Sequence, residues 1–202
     1  MAKNKRKTEK KQNFFSKHYS LSWQYICEIK TYIFFILFVF VLAFLIALLY
    51  QPDWAVEWIV AFVKELLKKT QNLNMGEMII FILNNNLRGS FIAMLLGVFL
   101  GIYPLVMALF NGYVLGFAAN ESVKAEGFSI LSRLVPHGIF EFPAILLSLA
   151  MGTKFGMFIF CKNKKKEFLR RLEQSLRVFL FVILPLLVIA AIIEGFLIIL
   201  IG

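Results

Sequence analysis

Long apolar runs separated by short polar stretches dominate this chain, and the pattern predicts membrane-spanning helices. Residues 32–50 form an uncharged run of nineteen residues. As a helix this run is about 28 Å long and matches a bilayer core of ~30 Å. Four later runs, at residues 78–103, 104–120, 134–160 and 178–201, are further candidate spans. The sequence therefore predicts an all-α, polytopic integral membrane bundle of about five transmembrane helices.

Two other segments have the mixed composition of helices that lie at a membrane surface. Residues 53–73 place Ile59 and Phe62 on one side of a helix and charged residues on the other, which predicts an amphipathic helix on the outer surface. Residues 1–31 combine lysines with aromatic residues, which predicts a basic cytoplasmic segment with an interfacial helix. Residues 32–202 then form a single transmembrane domain.

The division between the second and third spans is open to two interpretations. Residues 90–119 hold no charge and would make one helix about 45 Å long, which is too long for one span and too short for two. Pro104 beside Gly101 favours a turn at this point, with a full span on each side. Two short helices that re-enter the membrane from one side are the alternative.

Positive charge is concentrated in two segments and predicts the orientation of the chain. The formal net charge is +10 at pH 7, and most of it comes from residues 1–31 and 161–177. Basic loops favour the cytoplasmic side of a membrane. We therefore expect a cell-membrane protein with a cytoplasmic N-terminus and an extracytoplasmic C-terminus. We expect the basic residues to interact with the lipid surface, and nucleic acid is not expected as a partner.

Three Gly-x-x-x-Gly pairs lie in the apolar runs and predict close packing of helices. Each pair leaves a flat stripe that the backbone of another helix can approach. We expect a tightly packed bundle of the second, third and fourth spans, and the alternative is that one pair forms the seam of a homo-oligomer. The pairs are Gly97 with Gly101, Gly112 with Gly116, and Gly152 with Gly156.

Several polar residues fall inside the predicted spans, where such residues are costly and often functional. We expect Arg88 to form an ion pair with Glu141, with Glu194 as the competing partner. A structural clasp between spans is one interpretation of the cluster, and a proton or ion path through His137, Glu141 and Glu194 is the other. The full set is Asn84, Asn85, Asn86, Arg88, Asn111, His137, Glu141 and Glu194.

Three prolines predict breaks or bends in the spans. Pro136 suits the first turn of the fourth span, where a missing N–H is no loss. Pro143 removes a hydrogen bond to the carbonyl of Ile139 and predicts a kink in the same helix. Pro104 marks the break between the second and third spans.

Motifs for enzymatic chemistry are missing from the sequence. It contains no His-Glu-x-x-His, no Gly-x-Ser-x-Gly and no phosphate-binding loop, which argues against common hydrolases and nucleotide enzymes. His137 and Glu141 supply at most two metal ligands, whereas a closed zinc site needs about four. We therefore expect no catalytic site, no metal and no cofactor.

One run of residues is similar to a known family. The run from Pro136 to Ala144, together with Asn111-Gly112 and Asn86-x-Arg88, resembles the stage II sporulation protein M family of prokaryotic multi-pass membrane proteins. The resemblance implies the five-span plan and a non-catalytic role. The sporulation member anchors peptidoglycan-degrading partners and has uncharged residues where this chain has His137 and Glu141. The chain is thus more similar to the non-sporulation branch.

The leading hypothesis is a non-catalytic scaffold that anchors cell-envelope proteins in the lipid bilayer. The helix at 53–73 and the connection at 121–133 would form its outer partner surface. The alternative is a small transporter or channel that uses the intramembrane cluster of Arg88, His137 and Glu141. A transporter keeps such a cluster in contact with water, whereas a scaffold buries it dry.

Overall fold

The fold is a bundle of α-helices. A computed structural model describes residues 13–127 and 131–201, with side chains for all of these except 126, 131–137 and 198–201. The described residues form no strand, so the all-α prediction is confirmed. A 3-10 turn follows α6, and a π-helical turn joins α7 to α8. The helices are α1 (Phe14–Glu28), α2 (Lys30–Leu49), α3 (Asp53–Thr70), α4 (Met75–Leu96), α5 (Ile102–Glu126), α6 (Leu131–Gly156), α7 (Lys164–Val178) and α8 (Leu184–Ile201).

Five helical stretches are long and apolar enough to cross a membrane, so the predicted five-span bundle is confirmed. They contain α2, α4, α5, α6 and α8. The last stretch also takes in the charged helix α7, which precedes the apolar α8 without a break. The stretches are Lys30–Leu49, Met75–Leu96, Ile102–Ala125, Gly138–Phe160 and Lys164–Leu197.

The break between the second and third spans lies earlier than the sequence predicted. α4 ends at Leu96, and residues 97–101 form the turn before α5 begins at Ile102. Gly101 has φ of 71°, a left-handed conformation that glycine adopts without steric cost. Pro104 lies in the first turn of α5, where helical N–H groups have no partner to lose. Both helices are continuous, and the re-entrant alternative is not observed.

Glycines bring the second and fourth spans into direct backbone contact. A Cβ atom on Gly97 would overlap the backbone of Gly152, and one on Gly156 would overlap the backbone of Gly97 and Gly101. Two of the predicted Gly-x-x-x-Gly pairs therefore face each other where α4 turns into α5. Side chains larger than hydrogen would force these backbones apart.

The remaining glycine pair packs in a different place from the one predicted. A Cβ atom on Gly112 would overlap the carbonyl oxygen of Phe40, and one on Gly116 would overlap that of Phe44. This pair therefore packs the third span on the first span, whereas the third span also contacts the fourth and makes few contacts with the second. A glycine pair in a sequence indicates that some backbone approaches, but not which one. All three pairs are occupied within the chain, so none is open as an oligomer seam.

The two basic segments meet at one end of the bundle. The hydroxyl of Tyr25 on α1 lies 3.3 Å from that of Ser175 on α7. Arg170 of α7 donates two hydrogen bonds of 3.0 Å to the carboxylate of Glu28. This guanidinium lowers the pKa of Glu28 below its ordinary value. We call the end of the bundle where α1 and α7 meet the basic end.

The basic segment 161–177, which the sequence analysis treated as a loop, is largely helical. Arg177 donates to Glu173 at 2.6 Å, and Arg171 donates to Glu167 at 3.2 Å. Pairs spaced four residues apart in this way stabilise a helix. Arg171 is also buried and donates to the carbonyl of Lys154 at 2.7 Å, which attaches α7 to the end of α6.

A methyl group added at Gly97 or Gly156 should destabilise the bundle. Gly97→Ala and Gly156→Ala place a Cβ atom against backbone, and such overpacking typically costs about 1–3 kcal/mol. Gly89→Ala on α4 is the matched control, because nothing lies within 4 Å of its added Cβ atom. The measurement is the thermal unfolding midpoint in detergent. Equal losses at Gly89 and Gly97 would contradict the packing argument.

The contact between α1 and α7 should weaken in acid. Because the pKa of Glu28 is below its ordinary value of 4.5 in the folded state, the pair stabilises the protein fully above that value, and the contribution is lost as pH falls through the folded pKa. The Glu28 side chain is 37% exposed, so the loss should be below about 1 kcal/mol. Unfolding midpoints of the wild type and Glu28→Gln should differ at neutral pH and converge in acid; a constant difference would count against the pair.

Candidate functional site

Polar residues of the spans line a cavity between α4, α5 and α6, which we call the amide cavity. Its volume is about 240 Å³, and its polar lining consists of Asn85, Asn86, Ser90 and Asn111. Phe62 of α3 also lines it. Polar groups at these positions can offer and accept hydrogen bonds inside an otherwise apolar bundle.

A second cavity, which we call the acidic cavity, lies between α2, α5, α6 and α8. Its volume is about 220 Å³, and its polar lining consists of Asn111, Glu141 and Glu194. The two carboxyl groups come from different spans, α6 and α8, and line the same cavity. Glu194, the predicted competitor for Arg88, is therefore a neighbour of Glu141 in the same cavity.

The two cavities adjoin each other. Asn111 and Ile145 line both of them. The Asn111 side chain donates through Nδ2 to the carbonyl of Met107 at 2.7 Å, which leaves its oxygen as an acceptor. We call the two together the cavity pair.

Helix packing explains why the amide cavity forms. α4 and α5 each pack on α6 but make few contacts with each other, so a groove opens between them. The side chains of Asn86 and Ser90 are one helical turn apart and share the face of α4 that borders this groove. Phe62 of α3 lies across it, with its ring centroid 5.9 Å from that of Phe110 on α5.

Ser90 is a site residue that the sequence analysis missed. It is only 4% exposed, and its Oγ atom has no hydrogen-bond partner among the described atoms. Serine in a span usually bonds to the carbonyl four residues earlier, as Ser148 does with Ala144 at 2.9 Å. The available signal was its position one turn after Asn86, but a lone serine is too common in spans for that to stand out.

Arg88 lies outside the cavity pair, and the predicted ion pair with Glu141 is not found among the described side chains. Arg88 is exposed on α4, as is Asn84. Residues two apart in a helix point to different sides. Because Asn86 lines the amide cavity, Asn84 and Arg88, each two residues away, point away from that cavity.

Two predicted site residues, Pro136 and His137, belong to α6. Their side chains lie outside the described ones, so the role of His137 stays a prediction. α6 remains helical through Pro143. The size of any bend at Pro143 also stays a prediction.

The polar atoms of the cavity pair belong to amides, one hydroxyl and two carboxyl groups. All of these groups can form hydrogen bonds with a ligand. Within the described part of the chain, no three or more His, Cys, Asp and Glu residues are grouped so that they could hold a metal ion.

The fold and the site define a polytopic helical membrane protein with a polar interior. The family model described as Stage II sporulation protein M matches residues 31–197. Because the match covers well over half of the chain, the chain belongs to the stage II sporulation protein M family. The resemblance seen in the sequence is thereby confirmed.

The similar curated proteins leave the activity open. One uncharacterized protein of Methanocaldococcus jannaschii is 34% identical over 137 residues, which cover 65% of this chain and 60% of that protein. Another from the same organism is 32% identical over 120 residues, which cover 56% of this chain and 66% of that protein. The chain thus spans just under two thirds of each relative. No solved structure matches it.

Replacement of Arg88 and of Glu141 should have independent effects on stability. Because the two side chains form no ion pair, the losses from Arg88→Ala and Glu141→Gln should add in the double variant to within about 0.5 kcal/mol. Glu28→Gln with Arg170→Ala, which removes a pair that does exist, is the matched control and should show coupling. For both residue pairs, the free energy of unfolding in detergent is measured for the two single variants and the double variant. If the double variant loses clearly less stability than the sum of the two single losses, Arg88 and Glu141 do form an ion pair.

Proposed function

We propose that the protein is a small, non-enzymatic membrane transporter or channel and that the cavity pair is its pathway. The observation that carries the proposal is that Glu141 and Glu194 line a cavity inside the bundle. A charged group in the membrane interior is expensive unless it is paired or hydrated. A cavity large enough for several water molecules provides that hydration, which is the arrangement expected of a pathway and not of a dry clasp.

The position of the cavities supports this proposal. Each is bounded by helices that span the membrane, and Asn111 on α5 connects them. A row of amides beside carboxyl groups offers successive places for a polar solute to exchange its hydration shell for protein oxygen atoms. The Phe62 and Phe110 rings, at the wall of the amide cavity, are placed where a movement of α3 would widen it.

The proposed orientation puts the basic end in the cytoplasm of the cell. The contacts of α1 with α7 keep both basic segments on one side of the bundle, and positive charge favours the cytoplasmic side. An odd number of spans then gives an extracytoplasmic C-terminus. The connection between α2 and α4, which contains α3, would lie at the outer end.

A second candidate function, a scaffold for cell-envelope proteins, is favoured by the surface of α3. This helix buries Ala55 and Ile59, but Trp54 and Leu67 remain 74% and 61% exposed. Exposed aromatic and aliphatic side chains beside charges are typical of a surface that binds another protein. The connection 121–133, the other predicted partner surface, lies partly outside the described residues. A homo-oligomer would be a further use of the same surface.

A cysteine at position 194 should react with a membrane-impermeant reagent added from outside. The variant is Glu194→Cys in a chain with Cys27→Ser and Cys161→Ser. Phe38→Cys is the matched control, because Phe38 is 64% exposed on the flank of α2 and should face lipid. Reaction at position 194 with none at position 38 is expected, since only a water-filled cavity admits a charged reagent.

The positive control is Trp54→Cys, on the exposed surface of α3. If the Trp54 variant reacts and the folded Glu194 variant does not, the cavity is dry from outside. That outcome would reject an outward-open pathway and leave the scaffold as the leading function. Elution as a single species in size-exclusion chromatography would check that each variant is folded.

A further inference from the structure

Four features of the cavity pair limit what it can bind. They are the chemical type of the atoms on its wall, a buried hydroxyl that has no partner among the described atoms, the charge of its lining, and its volume. Together they define a narrower ligand class than polar solutes in general.

The wall offers mainly oxygen atoms. Asn111 uses its NH₂ group to donate to the carbonyl of Met107 at 2.7 Å, so its oxygen is the atom left for a ligand. Glu141 and Glu194 add carboxyl oxygens from two other helices. Oxygen ligands of this kind suit hard cations such as alkali ions, as well as ammonium groups that donate hydrogen bonds.

Ser90 supplies separate evidence for a ligand. It is nine-tenths buried, lies on the wall of the amide cavity, and its Oγ atom has no partner among the described protein atoms. A buried hydroxyl without a partner destabilises a fold. Its retention beside Asn111 is explained if a ligand or its hydration water occupies the cavity.

The charge of the lining determines the sign of that ligand. Two carboxyl groups share the acidic cavity, and the described lining of both cavities includes no Lys or Arg. Arg88, which could have balanced one of them, is exposed on the other side of α4. A bound cation would supply the missing positive charge and would be attracted strongly in a low-dielectric interior.

The cavity volumes set an upper limit on size. They are about 240 Å³ and about 220 Å³, which is room for a partly hydrated alkali ion or a small primary ammonium ion. A lipid headgroup with its chains, or a peptide, exceeds that space. The ligand is therefore compact.

We propose that the cavity pair binds a small monovalent cation, held in the acidic cavity by the carboxyl groups of Glu141 and Glu194 and the oxygen atom of Asn111, with its hydration water extending to the Ser90 hydroxyl in the adjoining amide cavity. The inference names the substrate class of the proposed transporter and in that sense rests on the proposed function. Binding alone, however, does not require that the cation crosses the membrane. The two can therefore be tested separately.

The test is binding to the purified full chain in detergent, measured as the rise of the unfolding midpoint with cation concentration. The probes are sodium chloride, potassium chloride and ethylammonium chloride, each balanced to constant ionic strength with N-methyl-D-glucamine chloride, whose bulkier cation serves as the reference. At least one probe should raise the midpoint in a saturable way, because a ligand stabilises the state that binds it. The probe that does so shows whether the cation is inorganic or organic.

Two variants and their matched controls assign the effect to the site. Glu194→Gln should abolish the saturable rise, and Ser90→Ala should weaken binding by about three- to tenfold, the usual effect of losing one hydrogen bond. Ser148→Ala is the control for Ser90, because its hydroxyl is also buried but bonds to Ala144 and lines neither cavity. Glu121→Gln is the control for charge, since Glu121 is exposed beside Lys124.

The outcomes separate this inference from the proposed function. If no probe stabilises the protein more than N-methyl-D-glucamine does, or if Ser148→Ala weakens binding as much as Ser90→Ala, the cation site is rejected. Saturable binding without cation flux into proteoliposomes would support the site and reject transport. Flux of an uncharged solute together with no saturable binding of any of the three cations would support transport and overturn the cation site.

Discussion

The structure depends on one backbone contact, in which the α4–α5 turn meets the end of α6 through four glycines. Gly97 and Gly101 lie directly against Gly152 and Gly156, and no side chain intervenes to hold the helices apart. Pro104, in the first turn of α5, also lies close to Gly152. Both α4 and α5 are therefore held against α6 near the basic end, and the groove between them is the space that becomes the amide cavity.

Helical periodicity then sorts the polar residues of α4 between that groove and the outer surface. Asn86 and Ser90 border the cavity, whereas Asn84 and Arg88 are exposed, because side chains four apart share a face and side chains two apart do not. The interior of the bundle therefore contains carboxyl groups but not Arg88. This arrangement differs from an ion-paired clasp, in which opposite charges would neutralise each other and exclude water. It is the reason that we propose binding and passage of a solute at this site, and not packing alone.

Membership of the stage II sporulation protein M family is compatible with both proposed functions, since they use different surfaces. The cavity pair lies inside the bundle, and α3 presents Trp54 and Leu67 on its outside. Phe62 and Trp58 of α3 also contact Phe110 beside the amide cavity. A protein bound to α3 would therefore act on the wall of the cavity, which gives a physical route by which anchoring and passage could be coupled.

The sequence by itself determined the class of protein, the five spans and the gathering of basic segments, because hydropathy and charge are local properties that can be counted along the chain. It also located the acids that line the cavity, Glu141 and Glu194. Only the tertiary structure decided that Gly112 and Gly116 pack on α2, that the second span stops at Leu96, and that the Ser90 hydroxyl has no partner among the described atoms. Each of these depends on which distant backbone or side chain arrives at a position, and a single chain without its contacts does not carry that information.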